Sequence, residues 1–390
     1  MAMDPSETAI GTWSGGRFMH FGEPLADERL TALLRPGGGI DTVITADTYG
    51  AGEADSALGR ALAGVERDSY CLIGAIGHDF YTSERDGAKG FPRFTDPRLR
   101  GPDAYGEYIR MATERSLERC GVERFDLLLL HNPDRIGYSS PAVWEGLQAV
   151  REAGLTRLLG VAPGPANGFT LDLIDCLERN ASVIDWAMII LGPLEPWPGE
   201  LVLDAAAAHD LSLITRVVDY GGLFHDDVLP GHAFAEYDHR KFRPDGWVAA
   251  GREKLELMRA FAARHGLSML QLACAWNLAQ TAVRCVAPTL IQESDDDPAH
   301  PARPVEDKRA ELAALPDAAG ELLSAEEIDA IRAIGENTGC MTLKGASLEH
   351  EGDARADRWA VDEELAAVAG RWGVDPAGDL RKRELSTVND

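Results

Sequence analysis

The sequence predicts an α/β chain folded as a (β/α)8 TIM barrel over residues 1–336, with a C-terminal extension at 337–390 that is helical and then frays. Three observations carry this. Short β-branched runs alternate with longer amphipathic stretches eight times. FDLLLL at Phe125–Leu130 and LSLITRVV at Leu211–Val218 are nearly continuous apolar runs, as strands buried on both faces should be. Repeated βα units demand right-handed crossovers and a parallel sheet. No GxGxxG follows the first strand to suggest an open, doubly wound sheet.

Strands are predicted at Ala9–Thr12, Ile40–Thr45, Tyr70–Ile76, Phe125–His131, Arg157–Ala162, Val183–Leu191, Leu211–Val218 and Val283–Pro288. The helices between them are Asp27–Leu34, Asp55–Ala63, Tyr105–Arg119, Pro141–Ala153, Leu171–Arg179, Glu200–His209, Gly246–His265 with Met269–Ala279, and Val305–Leu315. From about Ser324 the chain leaves the minimal barrel, with helices expected at Ser324–Gly335 and Asp357–Arg371. Its last residues, LRKRELSTVND, read as a fraying tail.

Among 390 residues, 38 Lys+Arg face 64 Asp+Glu, a net charge of −26. That excess repels phosphate, which argues against nucleic acid and anionic membrane surfaces as partners. No apolar run reaches the about 18 residues of a membrane span. The start, MAMDPSETAIG, has neither the basic end nor the apolar core of a secretion signal. Cys71, Cys120, Cys176, Cys274, Cys285 and Cys340 are scattered, without CxxC or metal-ligand spacing. Reduced thiols in a cytoplasmic protein are the expectation.

At ITADTYGAGEADSALGRAL (Ile44–Leu62) the sequence resembles the aldo-keto reductases, whose second barrel strand ends in DTAxxYGxGxSExxLG. FDLLLLHNPD (Phe125–Asp134) is similar to the family's fourth strand, which ends in a histidine. GTW at Gly11–Trp13, GLTRLLGV at Gly154–Val161 and LSAEEIDAI at Leu323–Ile331 follow the family's order. The resemblance covers about residues 9 to 336. It implies the barrel fold and hydride transfer from NADPH to a carbonyl through an Asp, a Tyr, a Lys and a His. The tyrosine donates the proton, and the lysine lowers its pKa from about 10.

Position by position, the resemblance makes Tyr49 the tyrosine and His131 the histidine. The aspartate position holds Ile44 and the lysine position Ala75, so both halves of the ion pair are gone. Joint loss is physically coherent, because either charge alone would lie buried without a partner. The family's Ser-Asn pair for the nicotinamide amide is replaced by Ala162 and Pro163. Its phosphate-binding segment is replaced by PTLIQESDDDPAHPARPVEDKRAEL, where Asp295, Asp296 and Asp297 would repel a phosphate. Arg303, Lys308 and Arg309 remain as cations for a shifted nucleotide site. NADP(H) is therefore disfavoured as cofactor, though not dismissed.

Polar residues follow several strands, where a barrel's active site lies. They are Tyr49; His78 and Asp79; His131, Asn132 and Asp134; Glu195; Arg216, Asp219 and Tyr220; and His225, Asp226 and Asp227. Tyr49, His131, Glu195 and Asp219 are the candidate catalytic groups. His78, Asp79, Asn132, Trp197, Arg216 and Tyr220 are the candidate substrate contacts. His78, His131, Glu195 and Asp219 form a candidate divalent-metal set that would polarise a carbonyl or hydroxyl. Bland readings stand beside these: His78-Asp79 as a loop cap, Glu195 as an anchor in LEPWPG, Trp197 as loop packing rather than a sugar-stacking platform.

Two long loops, His78–Asp103 and Asp219–Pro244, follow the third and seventh strands. They carry Arg85, Lys89, Arg93, Arg98 and Arg100, and His239, Arg240, Lys241 and Arg243. These either draw a small, anionic or polyhydroxylated substrate into the mouth or pair with surface acids. The functional expectation is acid–base chemistry through Tyr49 and His131 on a carbonyl or sugar-like hydroxy compound, redox-neutral in kind. An NAD(P)H-dependent reductase with a rebuilt site and a non-catalytic binding barrel are the alternatives.

Overall fold

The computed structural model describes residues 3–87, 90–164, 168–294, 301–336, 343–381 and 385. Eight parallel strands pair in chain order: β1 Ala9–Gly11, β2 Thr42–Ile44, β3 Cys71–Ile76, β4 Phe125–His131, β5 Thr156–Ala162, β6 Trp186–Ile190, β7 Ser212–Arg216 and β8 Val283–Ala287. A parallel bridge between Thr8 and Val286, with the Val286 N–H donating to Glu7 O at 2.8 Å, joins last strand to first. The predicted (β/α)8 barrel is the fold observed.

Helices α1 Asp27–Leu34, α2 Glu53–Leu62, α3 Tyr105–Cys120, α4 Arg135–Ser139, α5 Pro141–Glu152, α6 Thr170–Arg179, α7 Leu203–Ala208, α8 Trp247–His265, α9 Met269–Leu278, α10 Val305–Ala313 and α11 Ala325–Gly335 accompany the strands. Strand alternation divides the core in two. Ile44, Ile73, Ala75, Leu127, Leu129, Met188 and Ile214 fill one apolar cluster, the barrel interior. Val43, Leu72, Leu128 and Leu130 join the helices in the other. Asp126 interrupts the apolar β4 because its carboxylate accepts the Leu72 N–H at 2.8 Å and pairs with Arg67 at 2.7 Å.

Three predicted strands are shorter by three or more residues than the runs that suggested them. Before β6, the N–H groups of Val183 and Ile184 fold back onto Asn180 O, so pairing begins at Trp186. β7 ends at Arg216 because Val217 is left-handed, at φ 62°. β2 retains only the three residues that pair on both sides. The predicted helix Glu200–His209 is a 3₁₀ turn at Gly199–Val202 followed by α7.

The extension differs more. A two-stranded parallel ribbon, β9 Gly345–Ser347 with β10 Arg358–Ala360, precedes α12 Glu363–Trp372. The predicted helix over Asp357–Arg371 therefore starts late, where the Asp362 carboxylate caps the Leu365 N–H at 3.0 Å. The extension is docked: Trp359 donates to Asp172 on α6 at 2.6 Å, and Trp372 donates to Glu178 at 2.9 Å. Leu380 and Leu385 still pack on the core; the tail's other residues from 382 on, like Lys89, Cys340 and Asp295–Asp297, lie outside the described residues. The five described cysteines are buried free thiols. No described helix is long and apolar enough to cross a membrane.

Candidate active site

Tyr49 opens the turn after β2, and His131 ends β4. Their rings meet edge to face, with centroids 5.5 Å apart and planes at 86°. The His131 ring also meets His78, from the start of the loop after β3, at 5.6 Å. These three rings form the aromatic floor of the mouth. Two glycines permit close approaches around the mouth. A Cβ on Gly77 would lie 1.9 Å from His131 O, and one on Gly11 would strike the folded-back Trp13 ring at 2.3 Å.

His78 is fixed at both nitrogens. Its Nδ1 lies 2.7 Å from Phe91 O, and its Nε2 lies 3.1 Å from the Asn132 amide nitrogen. A carbonyl can only accept, so Nδ1 carries the proton and Nε2 accepts. Burial, with Arg93 beside it, pushes the His78 pKa down to about 3. His131 is likewise held well below the ordinary histidine value, first by burial and then by His78 and Arg216. Its Nδ1 is buried with no hydrogen-bond partner among the described residues. Burial raises the Tyr49 pKa, against the opposing pull of Arg216.

Both imidazoles are thus neutral at neutral and mildly acidic pH. Ring signals of His78 and His131 in an NMR titration should stay flat from about pH 8 to 5. An inflection near the ordinary value of about 6.5 at either ring would overturn that expectation.

Arg216 reaches from the end of β7 to the end of β5. One guanidinium nitrogen donates to Gly164 O at 2.6 Å and Pro163 O at 3.3 Å. Its charge acts on Tyr49, His131 and Glu195. Of the catalytic and substrate candidates, Tyr49, His78, His131, Asn132 and Arg216 gather at the mouth.

The others are bound into structure. Asp79 accepts from the N–H of Tyr81 at 3.1 Å, from the N–H and hydroxyl of Thr82 at 2.9 and 2.6 Å, and from Arg100. It is a loop staple. Both Asp219 oxygens accept backbone N–H groups, from Thr289 at 2.6 Å and Gly222 at 2.8 Å, tying the β7 loop to the end of β8. Glu195 is buried 3.6 Å from Arg243. Tyr220 is buried beneath the same guanidinium, 4.0 Å from its ring centroid. Trp197 is 1% exposed and donates to Asp379 O at 2.7 Å, so loop packing rather than sugar stacking describes it.

These contacts lend the metal expectation no support. Among the described residues no group of three or more His, Cys, Asp or Glu side chains is placed to hold an ion. His78 has spent both nitrogens and Asp219 both oxygens, while Glu195 faces a cation. The nearby polar groups are committed too: His225 bonds Thr289 O at 2.9 Å, Asp226 pairs with Arg252 and Arg259, and Asp227 with Lys308. The basic loops are largely internal as well. Arg100 holds Asp79, Arg98 pairs with Asp96, and buried Arg240 bridges Asp238 and Glu293 at 2.7 and 2.9 Å.

The aldo/keto reductase family model matches residues 9–336. The chain belongs to the aldo/keto reductase family. An aldo-keto reductase from Mycolicibacterium smegmatis is 32% identical over 130 residues, which is 31% of this chain and 45% of that protein. A D-threo-aldose 1-dehydrogenase from a Pseudomonas species is 26% identical over 212 residues, 51% of this chain and 62% of that protein. These stretches thus span about half the length of the curated relatives. Among solved structures, a glycerol dehydrogenase from Gluconobacter oxydans superposes with a TM-score of 0.62 at 23% identity, covering 86% of this chain and 92% of its own. An aldo-keto reductase from Bacillus halodurans gives 0.57 at 20% identity, over 85% and 93%. At such identities the structures speak for the fold alone.

Against the family's expected site, Ile44 and Ala75 lie in the apolar barrel interior, 1% and 4% exposed. Ile44 stands in register with Ile73, two residues before Ala75, so the two positions are diagonal neighbours on one face. The cations left for a nucleotide phosphate are spent. Arg303 donates to His225 O at 2.8 Å and pairs with Glu311. Lys308 is fully buried against Asp227 and Ile291 O. Arg309 donates to the carbonyls of Leu33, Arg35 and Gly37 at 3.2, 2.8 and 2.9 Å. Ala162 and Pro163 offer no side-chain polar group to a nicotinamide amide. At these positions the described residues carry no uncommitted polar side chain for NADPH.

Sequence reasoning missed Arg216 as a bridge across the mouth and missed the extension's contribution altogether. An arginine at a strand's end was visible; the carbonyls it would reach were not.

Proposed function

We propose that this chain is an acid–base enzyme of the aldo/keto reductase family. It acts on a carbonyl or sugar-like hydroxy compound without net hydride transfer, in an elimination, isomerisation or hydrolysis. The observation that carries the proposal is the Tyr49–His131 pair standing at the mouth above an apolar Ile44 and Ala75. Tyr49 gives its proton to the substrate oxygen, and its raised pKa keeps it protonated at neutral pH. Neutral His131 orients that oxygen. Arg216 supplies the positive charge toward Tyr49 that the family's lysine would supply, and it stabilises the phenolate as the proton leaves. The electrons stay with the substrate, so no external reductant is needed.

Carbonyl reduction by NAD(P)H on a rebuilt site is the second reading, favoured by family membership and by the names of the relatives. Fluorescence titration with NADPH separates the two. The expected result is weak or absent binding, because Arg303, Lys308 and Arg309 are already paired within the fold. A dissociation constant in the low micromolar range or tighter would promote the reductase reading.

A further inference from the structure

The C-terminal extension reaches the mouth through one continuous chain of polar contacts. Asp357, just before β10, pairs with Lys344 at 2.9 Å and with Arg93 at 3.0 Å. Arg93, from the far end of the β3 loop, is 8% exposed. Its Nε donates to Asn132 O at 2.8 Å. Asn132 follows His131 in the left-handed conformation, at φ 50°, a region asparagine enters more readily than other non-glycine residues. The Asn132 side-chain amide donates to His78 Nε2, and the His78 ring abuts His131.

The anchorage on the other side is equally definite. Phe169 N–H donates to Lys344 O at 2.9 Å, Gly345 N–H to Asp357 O at 2.8 Å, and Ala346 N–H to the Asp172 carboxylate at 3.1 Å. The segment carrying Asp357 is therefore fixed to the barrel independently of Arg93.

We propose that Asp357 is a positioning residue: through Arg93 it holds Asn132 left-handed with its amide on His78 Nε2, and thereby holds the His78 ring against His131. The barrel's histidine array is completed by a residue 264 positions away from Arg93 in sequence. A planar guanidinium suits this work, because one edge meets the carboxylate while Nε meets the carbonyl. Its relevance to catalysis rests on the reading that Tyr49 and His131 act at this mouth, but the wiring itself can be tested without any substrate.

The experiment uses the full chain, with the ring-nitrogen shift of ¹⁵N-labelled His78 Nε2 reporting the hydrogen bond it accepts from Asn132. In the unaltered protein Nε2 should show the shift of an unprotonated ring nitrogen that accepts a hydrogen bond. In Asp357→Asn and in Arg93→Met that hydrogen-bond signature should be lost, with circular dichroism unchanged. Arg93→Lys keeps the charge without the fork and should also lose it. Asp362→Asn removes an exposed pair with Arg135 elsewhere in the extension and should leave the signature intact. Should Arg93→Met fail to fold, Asp357→Asn decides, since its side chain is 37% exposed. An unchanged Nε2 shift in Asp357→Asn, or an equal loss in Asp362→Asn, overturns the proposal. Because no turnover is measured, a failed wiring and a failed functional reading give different results.

Discussion

Tyr49→Phe and His131→Ala should each lower turnover of the carbonyl or hydroxy substrate by about 10²–10⁴, the usual worth of one general acid–base group. The two losses have different origins. Phe at position 49 keeps the ring that stands edge-on to His131 at 5.5 Å and removes only the hydroxyl, so packing is preserved and the proton donor is lost. Ala at position 131 removes the imidazole that orients the oxygen and leaves the ring of His78 without its neighbour. Both variants should keep the far-ultraviolet circular dichroism of the parent, because the barrel's apolar clusters are untouched. Near-parental turnover in both would move the chemistry to other groups at the mouth, with Arg216 the first to examine.

The fold was legible because its signals are local. Helix α1 and strand β4 fall at the predicted residues, where an apolar period and its flanking residues agree. The errors arise where tertiary geometry overrides composition. Val217 belongs to an apolar run yet turns left-handed, and the ribbon of β9 and β10 is three residues per strand, too short to announce itself by alternation.

The candidate site was legible only in part, for the same reason. Tyr49 and His131 were found because each sits in a motif tied to one strand end. Asp219 and Asp79 carry the same chemistry at similar positions but are consumed by backbone N–H groups, and spacing does not reveal which carboxylates the backbone will claim. Asp357 lies beyond the reach of any pattern, since its partner is in another loop. Even Arg243, one of the basic loop residues, turns inward to cover Tyr220 and face Glu195.

Restoring the ion pair tests the redox-neutral reading most severely. Ile44→Asp or Ala75→Lys alone should destabilise the protein by about 3–5 kcal/mol, because each puts an unpartnered charge into the apolar barrel interior. The double variant should recover part of that loss, since the positions are diagonal neighbours on adjacent strands and their charges can meet. Recovery will be incomplete: lysine is far larger than alanine, and overpacking a filled interior costs about 1–3 kcal/mol. Thermal unfolding of the three variants gives the coupling as a double-mutant cycle. Equal losses in the single and double variants would mean that the two side chains do not reach each other. The double variant should nonetheless remain a poor reductase of a reactive aldehyde with NADPH. Its four acid–base groups would be complete, yet hydride transfer needs the donor held at roughly 3–3.5 Å from the carbonyl carbon. Arg303, Lys308 and Arg309 would still be bound to the protein's own carboxylates and carbonyls, so none of these three is free to fix the nucleotide at that distance. Robust aldehyde reduction by the double variant would mean that the nucleotide is held by other groups, and that the parent lacks only its ion pair to be a reductase.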